Sequence, residues 1–133
     1  MSETGFDIQM PFIEHLGLRL LEKGGGRARV RLDPRPEHLN SWKGVHGGVL
    51  LALLDVALSS AARALDPACT GAATVEIKVN FLAAARGPLL AEGRATRTGR
   101  MLIFSEGELR DLEGGVLAKA NGTFKLVYPK SEE

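Results

Sequence analysis

Residues 47–65 restrict the possible folds more than any other part of the chain. This segment is rich in Leu and Ala and contains no proline, so it is predicted to form a helix. Apolar residues cover nearly its whole circumference, which predicts burial on most sides. Asp66-Pro67 is expected to end the helix, because a residue that precedes proline is pushed out of helical geometry.

Most of the remaining chain has the pattern of β-strands separated by Gly-containing and Pro-containing turns. Charged and apolar residues alternate over residues 27–32 and again over residues 75–81, which is typical of strands with one wet face. The predicted elements are a short helix at 11–16 and strands at 17–23, 27–32, 70–82, 89–98, 101–112 and 116–128. One long helix against a mainly antiparallel six-stranded sheet is an α+β fold, and residues 1–133 are expected to form a single domain.

Composition excludes several classes of protein. The chain has 133 residues, of which 44% are apolar and 25% charged, with a formal net charge of +1. This balance argues against a nucleic-acid-binding protein and against a disordered chain. Cys69 is the single cysteine, and neither a signal peptide nor an apolar stretch of about 20 residues is found. We therefore expect a cytoplasmic protein without a membrane or nucleic-acid partner.

A single sheet around a single helix leaves open sheet edges and apolar side chains that the helix cannot cover. Two subunits that pair edge to edge would solve both problems. The sequence therefore predicts a homodimer or a homotetramer.

Asp55 is the residue most suggestive of chemistry. It lies among Leu, Val and Ala in the predicted helix, where a carboxylate is costly unless it is paired, hydrated or protonated. No basic residue lies three or four positions before or after it. Two interpretations stay open: a structural carboxylate that caps backbone or faces a partner's arginine, and a general base or nucleophile in a partly desolvated cleft.

His46-Gly47-Gly48 stands at the start of the same helix, where the first backbone N–H groups have no partner within the helix. Such donors suit a carbonyl oxygen that gains negative charge during acyl transfer, at about 3 kcal/mol per donor. Tight packing alone would equally explain the two glycines. Because the helix rises about 1.5 Å per residue, Gly47 and Asp55 lie about 12 Å apart along its axis. That separation favours a site in which one subunit supplies the donor and the other supplies the carboxylate.

The run from His38 to Ala57 resembles the signature of the PaaI-type hotdog thioesterases, H-x-N-x-x-G-x-x-H-G-G followed by an apolar stretch and D-x-A. The resemblance also covers the strand around residues 74–82 and the final strand. It implies the hotdog fold, in which the sheet wraps one long central helix, and hydrolysis of acyl-CoA thioesters. The matching positions are His38, Asn40, Gly44, His46, Gly47, Gly48, Asp55 and Ala57.

The resemblance also implies roles for five residues. The Gly47 amide polarises the thioester carbonyl, and Asn40 helps to place it. Asp55 of the facing subunit activates water or attacks directly. His46 assists the leaving thiol or braces the loop. Thr74 positions the water, although an ordinary strand residue at this position is an equally good interpretation.

Basic residues are expected to hold the phosphates of CoA. Arg97, Gly99 and Arg100 resemble the basic turn that relatives place near CoA, and Arg86 is a further possibility; each arginine could also be a solvated surface charge. The resemblance implies no metal and no redox cofactor, and three scattered histidines with one cysteine form no metal-ligand motif.

The predicted function is hydrolysis of acyl-CoA or aryl-acyl-CoA to the free acid and CoA. Two alternatives stay open: a non-catalytic hotdog module that binds acyl-CoA, and an enoyl-thioester hydratase or dehydratase. The sequence does not define the acyl group, because Phe12, Trp42, Phe81 and Phe104 would either line a pocket or fill the core.

Overall fold

The computed structural model describes residues 4–97 and 101–130. A single turn of 3-10 helix, Pro36–His38, lies in the loop before the long helix. No helix within these residues is both long enough and apolar enough to cross a membrane. The element order matches the predicted one and confirms the α+β fold class. The elements are α1 (Pro11–Leu16), β1 (Arg19–Gly24), β2 (Arg27–Leu32), α2 (Gly47–Arg63), β3 (Gly71–Phe81), β4 (Leu89–Arg97), β5 (Leu102–Asp111) and β6 (Val116–Val127).

Six strands of the described chain form one sheet in the order β1-β2-β4-β5-β6-β3. Every neighbouring pair is antiparallel, as the sequence predicts. β1 begins at Arg19 and not at residue 17, because Gly17 ends α1 in the left-handed conformation with φ 78°. The two edges of the sheet are β1 and β3.

Helix α2 packs closely against the middle of the sheet, where Gly93 of β4 pairs with Gly107 of β5. A Cβ atom at Gly93 would lie 2.5 Å from the carbonyl oxygen of Ala57 on α2. A Cβ atom at Gly107 would lie 3.0 Å from Leu58 Cδ1. These two glycines therefore let the helix approach the sheet backbone. Large side chains with almost no exposure surround this contact: Leu53, Leu54, Leu58, Leu89, Ile103, Leu109 and Phe124.

The opposite side of α2 is less covered than the apolar sequence predicts. Leu51 is 39% exposed, and Asp55 and Ser59 are only partly buried. With Gly48 and Ala52, these residues follow the spacing of one helix face. The prediction of burial on most sides therefore holds for the face toward the sheet, and a stripe that includes Asp55 stays accessible.

The β1 edge is covered by the chain itself. The Leu20 N–H donates a hydrogen bond to the Thr4 carbonyl oxygen at 2.7 Å, and the Phe6 side chain inserts into the core with 3% exposure. The strand also bulges between Leu20 and Glu22. Bulges and covering segments are the usual protection of an edge strand against further pairing.

The β3 edge is open. Within the described residues β3 pairs only with β6, although it extends over 11 residues. Val75 is 59% exposed and Phe81 is 53% exposed. Glu76 and Lys78 are exposed as well, and neither forms an ion pair with a described residue. An edge of this length with exposed apolar residues is suited to pairing with another strand.

Candidate active site

The loop that leads into α2 is closed by hydrogen bonds between its two arms. The His46 N–H donates to the His38 carbonyl oxygen at 2.8 Å, and the Asn40 N–H donates to the Gly44 carbonyl oxygen at 2.8 Å. Lys43 adopts the left-handed conformation with φ 63°, which allows the tight reversal of the chain. The sequence indicated only an irregular loop here. In the structure this loop fixes the point at which α2 begins.

The side-chain amide of Asn40 is held inside this loop. Its Oδ1 atom accepts hydrogen bonds from the backbone N–H groups of Trp42 (2.9 Å) and Gly44 (3.1 Å). Because both partners are N–H donors, the atom that accepts from them must be the amide oxygen, and the other must be the nitrogen. The Nδ2 group makes no hydrogen bond to any described residue, so it is free to donate to a ligand.

His46 is the N-cap of α2. Its Nδ1 atom accepts a hydrogen bond from the Gly48 N–H at 2.8 Å. An acceptor nitrogen carries no proton, so this contact requires Nδ1 to be unprotonated. The ring satisfies one of the unpaired donors at the helix start. This geometry favours the bracing role over proton transfer through Nδ1.

Gly47 is the first residue of α2, and its backbone N–H has no hydrogen-bond partner among the described residues. Gly47 and Asn40 both line a cleft of about 430 Å³. Two residues that each carry an unpaired N–H donor therefore line one cleft. Donors of this kind stabilise an oxygen that gains negative charge in a transition state, provided that water is largely excluded.

Most side chains that line the cleft are apolar, and several of them were not recognised from the sequence. The alanine run at 83–85 carries no signal of a binding function in the sequence. Phe81 and Trp42 were recognised only as residues that either line a pocket or fill the core. The complete lining is Asn40, Trp42, Gly44, Val45, Gly47, Leu50, Phe81, Ala83, Ala84, Ala85 and Arg86.

Asp55 and Thr74 contact each other directly. The Thr74 hydroxyl donates a hydrogen bond to Oδ1 of Asp55 at 2.7 Å. A bulge in β3 between Thr74 and Glu76 explains this orientation. Ile77, beyond the bulge, packs against the core. The extra residue Val75 therefore allows Thr74 to face the same side of the sheet as Ile77.

The surroundings of Asp55 are those of an accessible carboxylate. The residue is partly buried, and it forms no ion pair with any residue in 4–97 or 101–130. Thr74 occupies Oδ1, and Oδ2 has no hydrogen-bond partner in the described chain. Asp55 also accepts no hydrogen bond from the described backbone, so the structure does not support a backbone-capping role, and a pairing with a partner subunit's arginine stays untested within one protomer.

The two groups of predicted site residues do not meet within one protomer. Asn40 and Gly47 line the cleft, but neither Asp55 nor Thr74 is among the described residues that do so. This agrees with the separation of about 12 Å between Gly47 and Asp55 along the helix axis. A site that uses both groups must combine residues of two subunits.

His38, which the family motif includes, is buried with 2% exposure and has a structural environment. Its Nδ1 atom accepts a hydrogen bond from the Arg35 N–H at 2.9 Å. Burial lowers the pKa of His38, and the nearby Arg35 guanidinium lowers it further. Both effects favour the neutral form of His38, which holds the loop from which Asn40 projects.

The predicted CoA-binding residues lie largely outside the described residues. Gly99, Arg100 and the side chain of Arg97 are all outside the described part of the chain. Arg86 lies at the cleft, and its side chain is exposed. Residues 4–97 and 101–130 contain no group of three or more His, Cys, Asp or Glu side chains that would hold a metal ion.

Comparison with known proteins places the chain in a family. The sequence profile of the Thioesterase superfamily matches residues 43–118, more than half of the chain. A Saccharolobus solfataricus protein named "Putative esterase" is 30% identical over 116 residues, which are 86% of this chain and 82% of that protein. The chain belongs to the Thioesterase superfamily.

Solved structures support the same assignment. A conserved protein of Pseudomonas aeruginosa, PA5202, superposes with a TM-score of 0.83 at 29% identity, covering 90% of this chain and 95% of that one. A variant of the phenylacetic acid degradation protein PaaI from Thermus thermophilus superposes with a TM-score of 0.78 at 26% identity, covering 89% and 99%. The hotdog fold and the resemblance to PaaI-type thioesterases are confirmed. The family supports hydrolysis of acyl thioesters in general.

Proposed function

We propose that the protein hydrolyses acyl-CoA or aryl-acyl-CoA thioesters to the free acid and CoA. The observation that carries the proposal is the pair of free donors, the Gly47 N–H and the Asn40 Nδ2 group, in one apolar cleft. A thioester carbonyl oxygen between them would accept both hydrogen bonds. Both would strengthen as this oxygen becomes negative. The named role of the Thermus thermophilus PaaI protein in phenylacetic acid degradation supports including aryl-acyl groups.

Asp55 acts as the general base in this proposal. Its free Oδ2 atom takes a proton from water while the water oxygen bonds to the carbonyl carbon. The carbon–sulfur bond then breaks, and the CoA thiolate leaves and takes up a proton. Thr74 holds Oδ1 and so fixes the direction in which Oδ2 is presented. Turnover in H₂¹⁸O should leave no ¹⁸O in the Asp55 carboxylate, whereas direct attack by Asp55, followed by attack of water on the Asp55 carboxyl carbon of the resulting anhydride, would label it.

A second copy of the chain supplies the carboxylate by pairing along the open β3 edge. A two-fold axis through Ile77 would place Glu76 opposite Lys78 of the partner subunit, and Lys78 opposite the partner's Glu76. An axis through Glu76 or through Lys78 would instead place like charges opposite each other. Charge complementarity therefore favours the register centred on Ile77.

This register also completes the site. Because Val75 is bulged out, it places Thr74 of the partner subunit opposite Val79, two residues before Phe81 of the first subunit. The Phe81 ring is itself close to Gly47, because its Cζ atom lies 3.5 Å from the position that a Gly47 Cβ would occupy. Asp55 of the partner subunit, held by Thr74, thus approaches the carbonyl that Gly47 polarises. A symmetric dimer contains two such sites, and a homotetramer would contain four.

CoA is expected to extend from the cleft toward basic residues. Arg97, Gly99 and Arg100 remain the proposed contacts of its phosphates, on the basis of the family resemblance. Arg86 is a further proposed contact, since it is exposed and lies at the cleft.

The central experiment compares Asp55→Asn with the wild-type protein in an assay that detects released CoA with a thiol reagent. Asn preserves the shape of the side chain but is a far weaker base, so turnover should fall at least about a hundredfold while the dimer persists. Asp33→Asn is the matched control, because Asp33 is a surface carboxylate paired with Arg19 and Arg31. Near wild-type turnover of Asp55→Asn would contradict the proposal.

Two further outcomes would identify a different function. Binding of acyl-CoA in calorimetry without CoA release by the wild-type protein would identify a binding module. Loss of the enoyl absorbance of crotonyl-CoA without CoA release would identify a hydratase.

A further inference from the structure

We propose that Phe81 selects among acyl groups by the bulk that they carry next to the thioester carbonyl. This inference rests on the proposed function, because it takes Gly47 as the donor to that carbonyl. Phe81 ends β3 and lines the cleft. Its Cζ, Cε1 and Cε2 atoms lie 3.5, 3.8 and 3.9 Å from the position that a Gly47 Cβ would occupy. The tip of the ring therefore faces the start of α2.

The apolar part of the cleft, away from Arg86, is better suited to the acyl group than to the pantetheine arm of CoA. The pantetheine arm contains two amides, which need hydrogen-bond partners when they leave water. Asn40 Oδ1 already accepts two backbone N–H groups, and the free donors of Asn40 and Gly47 serve the carbonyl. The remaining walls are mostly Val, Leu, Ala and aromatic side chains. An apolar acyl chain would enter such a cleft without leaving polar groups unpaired.

The wall that carries Phe81 is held by β6 on one side and, at Ala85, by the loop that leads into α2. Phe81 pairs with Ala118 of β6, and the next residue, Leu82, donates its N–H to the Leu117 carbonyl oxygen at 2.9 Å. The Val45 N–H donates to the Ala85 carbonyl oxygen at 2.9 Å, which joins the two walls of the cleft. The backbone at Phe81 therefore cannot move aside easily when a bulky group enters.

An acyl chain whose carbonyl oxygen binds Gly47 must pass the Phe81 ring with its first carbons. A chain that is unbranched at C2 passes the ring edge, whereas a branch at C2 meets it. The wild-type protein should therefore prefer straight-chain acyl-CoA over its C2-branched isomer. One methyl group in an apolar pocket typically changes kcat/KM by about tenfold or more.

The test compares pentanoyl-CoA with 2-methylbutanoyl-CoA, which have the same number of carbons. The measured quantity is the ratio of kcat/KM for the branched substrate to kcat/KM for the straight one. Phe81→Ala should raise this ratio about tenfold, and Phe81→Leu should raise it less. A ratio cancels any effect that the substitution has on both substrates, including an effect on the dimer or on Asp55. Phe104→Ala removes a Phe of similar exposure outside the cleft and should leave the ratio unchanged.

An unchanged ratio in Phe81→Ala, with both substrates hydrolysed, would overturn the role of Phe81 and leave the proposed function intact. A parallel loss of activity on both substrates would likewise assign Phe81 a purely structural role. If Phe81→Ala does not fold, Phe81→Leu decides by the same ratio. Failure of the wild-type protein to hydrolyse either substrate would overturn the proposed function and this inference together.

Discussion

The Thr74 hydroxyl lies 2.7 Å from Oδ1 of Asp55 and joins the open edge strand to the central helix. The contact exists because a bulge at Val75 turns Thr74 toward α2. One oxygen of the carboxylate is thereby fixed, and the other remains free. The edge strand thus both orients the carboxylate and, in the proposed dimer, delivers it to the second subunit.

Replacement of Thr74 by Val should lower kcat about tenfold with little change in KM. Val retains the β-branched shape suited to a strand but cannot donate the hydrogen bond, which is worth about 1.5–3 kcal/mol to a charged acceptor. Thr74→Ser is the matched control, because it keeps the hydroxyl and should keep most of the activity. Steady-state kinetics on one acyl-CoA measures both variants. Equal kcat for Val and Ser would show that the hydrogen bond is irrelevant to turnover.

Replacement of Gly47 by Pro should abolish most activity without unfolding the protein. Proline is well tolerated at the first position of a helix, and His46 already has the extended conformation, φ -60° and ψ 138°, that precedes proline. The substitution removes the N–H donor, so kcat should fall about a hundredfold or more. Gly47→Ala keeps the donor and adds a Cβ at ordinary contact distance from Phe81. Thermal melting of both variants measures any loss of stability, and steady-state kinetics measures the loss of activity caused by removing the N–H. Full activity in Gly47→Pro would exclude a catalytic role for the Gly47 N–H.

Exchange of the charges on β3 should reveal the register of the dimer. Glu76→Lys alone would place Lys opposite Lys, and Lys78→Glu alone would place Glu opposite Glu. Each single substitution should weaken dimerisation about tenfold, since two symmetric pairs are affected at up to about 1 kcal/mol each. The double variant Glu76→Lys/Lys78→Glu restores opposite charges and should restore the dissociation constant. Analytical ultracentrifugation at low salt measures this dissociation constant. If the effects of the two substitutions on the dissociation constant simply add in the double variant, this register is excluded.

Stability should decrease as the pH falls from about 7 to about 5, in part because of His38. Its folded-state pKa is lowered, first by burial and then by Arg35, relative to the ordinary value of 6.5. Because the folded-state pKa is the lower of the two, the unfolded chain binds the proton more readily than the folded chain as the pH falls through about 6.5, so protonation favours unfolding. His38→Asn removes this titration. Urea unfolding at neutral pH and at about pH 5 should therefore show a smaller pH effect in the variant, and parallel pH curves would refute the assignment.

The fold was largely predictable because its signals are local. The apolar segment at 47–65, the alternation around Ile77 and the turns with Gly and Pro define the order of elements. The bulge at Val75 was not predictable, because the sequence alternation continues through it without interruption. Only the pairing with β6 reveals the extra residue.

The residues of the candidate site were proposed from the sequence, but their contacts were not. The motif identified Asn40, Gly47 and Asp55, since helix geometry and apolar surroundings make an amide donor and a carboxylate unusual there. The closed loop that orients Asn40 depends on Lys43 in the left-handed conformation, which is uncommon for a lysine. The position of the Phe81 ring over Gly47 depends on the packing of β3 beside α2, which sequence spacing alone does not determine.

The segment at Thr4 to Phe6 has a consequence for assembly. A sheet with two open edge strands would pair with further copies at both edges and grow into a fibre. Here part of one edge is occupied by residues 4–6, with Phe6 anchored in the interior. In the proposed dimer, strand-to-strand association along the remaining edge would therefore stop at two copies.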